Sequence, residues 1–378
     1  MNLLFNASNL TIGGGPSVVN GLLPALASLR ETDMLHVAVP AGTPFEILSD
    51  IPNIKLYPAP RSCAKSLLGK WWYNHVLFHE LADKVKAEKI ISLGNVALNA
   101  GKRPQLLYLA LPHLVYPYSP AWRSMRFSEY LRNRAMIAYI TTQMQHARRI
   151  VVQTEVMKQR LVSRLGIDKE IMVLPNASTP LALDIPPLRT RPYTKTEPLR
   201  LLFLSKWYPH KNFDLLIPLG RLLRRLALPI EISLTISADE SAGAKKIIDQ
   251  IKENDLERFF PILGHQSKEQ IDRLWQHMDG LFLPTFLESY SGAYANAAQA
   301  GRVIFTSKYD FATRLLGPDT AFYFNPEDPM SVFETLQQAV SQPGQIVQKA
   351  ARAKEWSEQQ PDWQEIAARF SGIIDTFA

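Results

Sequence analysis

Short apolar strands alternate with helical stretches along this chain, and the alternation runs through twice. In the first half Leu3–Ala7, Leu35–Pro40, Ile90–Leu93, Leu106–Ala110, Ile150–Gln153 and Ile171–Leu174 read as strands. Parallel neighbours need a crossover long enough to hold a helix, so this pattern predicts a parallel sheet covered by helices. A proline-rich polar run follows, from Asp184 through Pro186, Pro187, Pro192 and Thr196 to Pro198. It has no apolar periodicity, and residues 186–198 read as a linker. The alternation then restarts. Strands are expected at Leu201–Leu204, Glu231–Ile236, Phe260–Leu263, Gly280–Pro284 and Val303–Thr306, with helices from about Phe213, at Ala242–Lys252 and at Lys268–His277. At 378 residues the chain is too long for one core, and the break divides it into two α/β domains, 1–185 and 199–355. An amphipathic stretch, Trp363–Phe377, ends the chain as a helix.

A hydrophobic fraction of 46% and a charged fraction of 20% are those of an ordinary globular protein. The single cysteine, Cys63, has no internal disulfide partner; a lone thiol suits a reducing cytosol, and a small buried apolar residue is its simplest role. Residues Met1–Leu10 lack a basic region followed by a long apolar run, and no stretch is long enough to span a bilayer. The expectation is a cytoplasmic protein, in which the sequons at Asn6, Asn9 and Asn176 are idle.

Charge is uneven. Residues 1–185 hold 20 Lys/Arg against 12 Asp/Glu, whereas residues 186–378 hold 22 against 23. Much of the excess lies in Arg123, Arg126, Arg132, Arg134, Arg148 and Arg149, interleaved with Trp122, Phe127, Tyr130 and Met136. Lys65, Lys70, Trp71, Trp72 and Tyr73 have the same texture. Either cluster alone is explained by a helix with a solvated basic face. Together they suit an anionic membrane surface, where rings sit at headgroup level and each cation adds attraction. No nucleic-acid recognition motif accompanies them, and no nucleic-acid partner is expected.

Chemistry is most legible between Phe286 and Val303. Glu288 begins a small-residue loop, Ser289-Tyr290-Ser291-Gly292, that runs into an Ala-rich helix closed by Gly301. A strand–loop–helix of this kind aims free N–H groups at whatever lies above the sheet, and anions bind there. The segment resembles the sugar-nucleotide site of retaining glycosyltransferases of family 4. In that family a second Glu follows the first after seven intervening residues; here that position is Asn296.

Ser205-Lys206-Trp207-Tyr208-Pro209-His210-Lys211-Asn212 is similar to the same family's Gly-Arg-x-x-x-x-Lys-Gly segment, with Lys206 in place of Arg and Lys211 at the Lys. A departing nucleoside diphosphate develops negative charge, which needs cationic stabilisation. The chain contains no Asp-x-Asp, so the two lysines are read as metal-free stabilisers. Ordinary surface lysines and a helix-capping Glu288 are the structural alternatives. Lysine lacks arginine's bidentate fork, and a looser hold on phosphate is expected.

Gly13-Gly14-Gly15-Pro16, after the first strand, is read as a loop that lets the backbone approach a diphosphate or an acceptor, or else as a tight turn. It is no Walker motif. Its position agrees with the family's glycine loop. His113 lies in the region where the family places a residue near the sugar, Gly264 matches the glycine of the nucleobase pocket, and Pro175-Asn176-Ala177 resembles a structural Pro-Asn-Gly turn.

The resemblance implies the GT-B fold: two Rossmann-like domains facing across a cleft, with the C-terminal helix (about 361–378) crossing back onto the first. It implies transfer, with retention, of a hexose or deoxyhexose from a nucleotide sugar to a glycan or lipid-linked acceptor in bacterial cell-surface polysaccharide synthesis. Glu288, Lys206, Lys211 and His113 would act at the reacting centre, at the inner face of the membrane. Gly14, Gly15, Gly264, Ser289, Tyr290, Ser291, Gly292 and Asn296 would bind the donor without any cofactor or metal. A catalytically weak nucleotide- or glycan-binding scaffold and a sugar-nucleotide epimerase of the same fold remain as alternatives.

Overall fold

In a computed structural model of the chain, all residues are described except 12–13, 43–44, 61–62, 64–66, 178–180, 182 and 378, along with the side chains of Glu46, Leu67 and Lys70. Gly13, Lys65 and the Lys70 side chain thus lie outside the described residues. The chain forms two units. The first comprises Met1–Val115, Phe127–Ala177 and Pro361–Ala378; the second comprises Tyr116–Arg126 and Ser178–Gln360.

The first unit is built on seven parallel strands: β1 (Asn2–Asn6), β2 (Met34–Pro40), β3 (Ile54–Ala59), β4 (Lys89–Ser92), β5 (Gln105–Leu109), β6 (Arg149–Val152) and β7 (Ile171–Val173), in the order β3-β2-β1-β4-β5-β6-β7. The inner strands are buried along nearly their whole length, which is why they read as continuous apolar runs. β3 was not anticipated. It is an edge strand carrying exposed Lys55 and Pro58, and a proline without an N–H is tolerated only at such an edge.

The C-terminal helix, Trp363–Thr376, belongs to this unit. It lies against the helix Gly14–Leu29 at Gly21, where an added Cβ would stand 2.1 Å from the Trp363 ring. Arg30 donates to Ser371 at 2.7 Å and Asp375 at 2.9 Å. Lys89 Nζ donates to the Ile374 and Phe377 carbonyls at 2.7 Å each, satisfying acceptors that a helix C-terminus leaves open.

Five parallel strands form the second unit: β8 (Leu199–Phe203), β9 (Ile230–Leu234), β10 (Gly280–Leu283), β11 (Val303–Ser307) and β12 (Ala321–Phe324), in the order β12-β11-β10-β8-β9. Phe260–Leu263 was expected as a strand but makes only a bridge, Leu234 to Ile262. Pro261 accepts from Leu234 N at 2.8 Å but has no N–H to return. The change of unit falls after Ala177, ahead of the expected linker, whose Arg189 fastens it to the second unit. That guanidinium donates to the Pro198 carbonyl at 2.7 Å and to Asp279 at 3.1 Å, and lies 4.5 Å from the Tyr193 ring centroid.

The Tyr116–Arg126 segment corrects the basic cluster drawn from sequence. Arg123 and Arg126 belong to the second unit, Arg123 pairs with Glu327 at 3.5 Å, and Trp122 is buried. Arg132 and Arg134 remain in the first unit, on the helix Phe127–Gln143.

Candidate active site

In the second sheet the chain passes from β8 to β9 on one side, then returns to place β10 on the other side of β8. The crevice above the carboxyl ends of β8 and β10 is therefore the switch point, where open α/β sheets bind ligands. Two loops line it, Leu204–Asn212 after β8 and Pro284–Ser291 after β10. They bring Lys211 and Glu288 together: Lys211 Nζ donates to Glu288 Oε1, with only 13% and 12% of the two side chains exposed.

The β8 loop is held at both ends. Ser205 N donates to Thr235 Oγ1 at 3.1 Å, and Trp207 N donates to the Glu240 carboxylate. The Trp207 indole packs over Gly243, where a Cβ would meet it at 2.1 Å. Asn212 turns the chain with φ 62°, in the left-handed region that favours glycine and that asparagine tolerates. Its amide donates to the Pro326 carbonyl at 2.8 Å. An asparagine can thus stand where the resembled segment has glycine. Lys206, the other expected cation, is exposed.

Beyond Glu288, residues Ser289, Tyr290 and Ser291 are buried and Gly292 opens the helix Gly292–Gln299. Ser291 stands at the cap position but makes no side-chain capping bond. By contrast, Ser241, Ser267 and Asp328 each cap their own helices. Nothing would touch a Cβ at Gly292, and a helix start without a side-chain cap leaves backbone N–H groups for another acceptor. Burial raises the Tyr290 hydroxyl to about 12. Burial, and then the Glu288 carboxylate, holds Tyr294 well above its ordinary value; its hydroxyl is 2.7 Å from Thr306 Oγ1. Asn296 lies half-buried on the same helix, and its side-chain amide is uncommitted among the described residues. Gly264 has φ +73° with no atom near a would-be Cβ, a backbone conformation suited to glycine.

The glycine loop of the first unit differs from expectation. Gly14 and Gly15 are the first residues of the helix Gly14–Leu29, and neither has a positive φ. A Cβ at Gly15 would stand 2.7 Å from Leu10 Cδ2, so the helix start packs closely against that side chain. His113 lies in the 3-10 turn Pro112–Leu114 after β5, and burial lowers its imidazole to about 4. Asn176 is structural, its Oδ1 accepting from Tyr108 OH and Gln153 Nε2 at 2.9 Å each. Thr235 and Thr285, which hold the two loops, were not singled out from sequence; a threonine just past a strand in a loop that turns into a helix is the signal that could have found them.

Residues 185–360 match the family model described as "Glycosyl transferases group 1". Among curated proteins no sequence matches the chain. Sucrose-phosphate synthase from Thermosynechococcus elongatus has a similar structure, with a TM-score of 0.77 over 99% of this chain and 98% of that one at 12% identity. Anabaena HepE, in complex with UDP-glucose, gives 0.73 over 100% of both chains at 16% identity. WaaG, a glycosyltransferase involved in lipopolysaccharide biosynthesis, gives 0.72 over 100% of both at 12%. Likeness at such identities carries the architecture. The fold is GT-B. The group 1 match and the Lys211–Glu288 pair fall in the same half of this GT-B chain, on its second Rossmann-like unit.

Proposed function

We propose that the chain is a retaining glycosyltransferase that moves a hexose or deoxyhexose from a nucleotide sugar to a glycan or lipid-linked acceptor. The observation that carries this reading is the Lys211–Glu288 pair at the switch point, beside the uncapped helix start at Gly292. Glu288 would accept hydrogen bonds from donor-sugar hydroxyls. Lys211, Lys206 and the helix N–H groups would stabilise the departing diphosphate, and this provision of positive charge supports a metal-independent reaction. In same-face attack the leaving phosphate accepts the acceptor proton, so no protein base is assigned. His113 would lie near the sugar as a neutral imidazole. In the first unit a cavity of about 120 Å³, lined by Ser8, Asn9, Thr11, Cys63 and Tyr73, offers hydroxyl and amide groups to an acceptor at the carboxyl ends of β1 to β3.

The test begins with nucleoside diphosphates, with UDP first because HepE binds UDP-glucose. A ligand at a hundred times its Kd should add about 2.7 kcal/mol to stability. Donor turnover that persists in EDTA, with the product anomer matching the donor by NMR, is the expected result. No stabilisation by any nucleoside diphosphate would refute donor binding. Asn296 favours one second reading, a scaffold that binds nucleotide without turnover; nucleotide binding with no transfer to any glycan acceptor would select it.

We also propose that the first unit meets an anionic membrane, in line with synthesis of a cell-surface polysaccharide at the inner face. No helix among the described residues is long and apolar enough to cross a membrane. Leu68, Trp71 and Trp72 are exposed, as are Phe127, Leu131 and Met136 on the helix that carries Arg132 and Arg134. His75 Nε2, 2.9 Å from Tyr139 OH, brings the two segments side by side.

A further inference from the structure

Lys211 and Glu288 stand on the two loops that follow β8 and β10, and an ion pair between loops does not by itself fix where either charge lies. The separation of the loops is set elsewhere. The carbonyl of His210, the residue before Lys211, accepts from Phe286 N at 2.8 Å and lies 3.1 Å from Thr285 Oγ1. Thr285 Oγ1 is also 3.1 Å from the Leu287 carbonyl and accepts from Leu287 N at 3.4 Å. One hydroxyl proton therefore serves two carbonyls, one on each loop, while a lone pair holds the residue before Glu288. Thr285 is fully buried, so water cannot replace these bonds.

A third segment closes the arrangement. Ser119 Oγ donates to the Phe286 carbonyl at 3.0 Å. Ser119 is anchored in turn, because Tyr116 OH donates to Asp310 Oδ1 at 3.0 Å and Trp122 Nε1 donates to the Tyr116 carbonyl at 2.8 Å. Residues Tyr116–Arg126 leave and re-enter the first unit in sequence but pack within the second.

We propose that Thr285 is a positioning residue that sets the distance between Lys211 and Glu288 by holding His210 and Leu287 together, with Ser119 bracing Phe286 between them. The inference rests on the glycosyl-transfer reading, and it deepens it by naming what fixes the paired charges. Both hydroxyls are committed to backbone carbonyls of the protein. Their effect is expected on the chemical step, since small misplacements of reacting groups cost rate more than binding.

The test compares Thr285→Val, Thr285→Ser and Ser119→Ala with wild type in donor hydrolysis, nucleoside diphosphate affinity and thermal melting. Valine keeps the volume and loses the hydroxyl. Thr285→Val should lower kcat by about tenfold with diphosphate Kd within about twofold, and Thr285→Ser should restore most of the rate. Ser119→Ala should lower kcat by about threefold, as a brace one step removed. In a Glu288→Gln background Thr285→Val should cost little more, because it acts through a pair already broken. A folded Thr285→Val with wild-type kcat overturns the inference, as do equal losses in the serine and valine variants. If the valine variant does not fold, an unchanged kcat in Ser119→Ala overturns it. A wild type without turnover refutes the transferase reading instead. The inference is then judged by a crystal structure of Thr285→Val, or of Ser119→Ala if the valine variant does not fold: an intact Lys211–Glu288 bond sinks it and a separated pair upholds it.

Discussion

Lys211 donates to Glu288 across the switch point of the second sheet, each side chain almost wholly withdrawn from water. The group proposed to face the leaving diphosphate and the group proposed to hold the sugar are thus partners of each other. Removing one partner leaves a charge with little water to solvate it. Lys211→Ala should therefore destabilise the protein by about 3 kcal/mol. Adding Glu288→Gln to that variant should recover part of the loss, because the stranded carboxylate is gone. Chemical denaturation of the two variants checks this. A double variant less stable than Lys211→Ala would show that the pair is not the source.

Glu288→Gln alone should lower kcat on the order of a hundredfold while nucleoside diphosphate affinity changes little, if the carboxylate grips the sugar most tightly in the transition state. Steady-state kinetics with isothermal titration separates the two quantities. Wild-type transfer by Glu288→Gln would sink the enzyme reading.

His113 supplies a pH signature. Burial takes its imidazole from an ordinary 6.5 to about 4. Between these values the unfolded chain binds more protons than the folded one, so stability falls as pH drops from 6.5 toward 4 and is level in this respect above 6.5. The contribution reaches about 3 kcal/mol. Burial pushes His36 and His75 in the same direction, so the share of His113 is the difference between wild type and His113→Gln. Identical pH–stability curves for the two proteins would refute it.

How much of this was visible in the chain depends on the range of the contact. Inner strands buried on both faces announce themselves as apolar runs, and from these the strands other than two edge strands, β3 and β12, could be placed. Strand β3 escaped because its Lys55 and Pro58 belong to an edge. Phe260–Leu263 makes only a bridge because Pro261, inside its apolar run, has no N–H to extend the ladder. Glu288 and Lys211 stood out through the resemblance of their segments to a known family, yet the contact between their side chains did not, since it depends on where two crossovers return. Ser119 and Phe286 meet across 167 positions, and nothing local in Tyr116–Arg126 marks it as part of the second unit. Gly14 and Gly15 read as a ligand loop because glycine serves both close approach and close packing, and Gly15 does lie close to the Leu10 side chain.

The terminal helix is held by packing that has no room for a side chain at Gly21. Gly21→Ala would press a Cβ into the Trp363 ring and should cost about 1–3 kcal/mol. Thermal melts should show the loss, and Trp363→Leu in the same background should return part of it. An unchanged melting temperature for Gly21→Ala would mean that the helix contributes little to the first unit.

Membrane attachment would use apolar anchors and arginines together. Wild-type protein should bind anionic vesicles with an affinity that falls as salt rises. Arg132→Gln with Arg134→Gln should weaken the attraction, and Trp71→Ser with Trp72→Ser should weaken binding even at low salt. Equal binding to neutral and anionic vesicles, unchanged by salt, would remove the electrostatic part. Arg123 is a poor target for this purpose, because it pairs with Glu327 in the second unit.

Asn296 tests whether the site is complete. The resembled family has a carboxylate here that accepts from ribose hydroxyls; an amide oxygen can accept too, but without charge. Its side chain is half-buried and uncommitted among the described residues, so a ligand hydroxyl need not displace an existing bond. If the ribose contact has been kept, Asn296→Ala should weaken nucleoside diphosphate binding by about 1 kcal/mol, the worth of one neutral hydrogen bond. Asn296→Glu would place a second carboxylate on the helix that follows Glu288, one turn or more from the helix start, where the dipole no longer favours an anion. It should tighten nucleotide binding only if a ribose hydroxyl is there to donate. Calorimetry of the three proteins with the same diphosphate decides. Equal affinities throughout would mean that the ribose does not reach Asn296, and the amide would then be a residue of the helix rather than of the site.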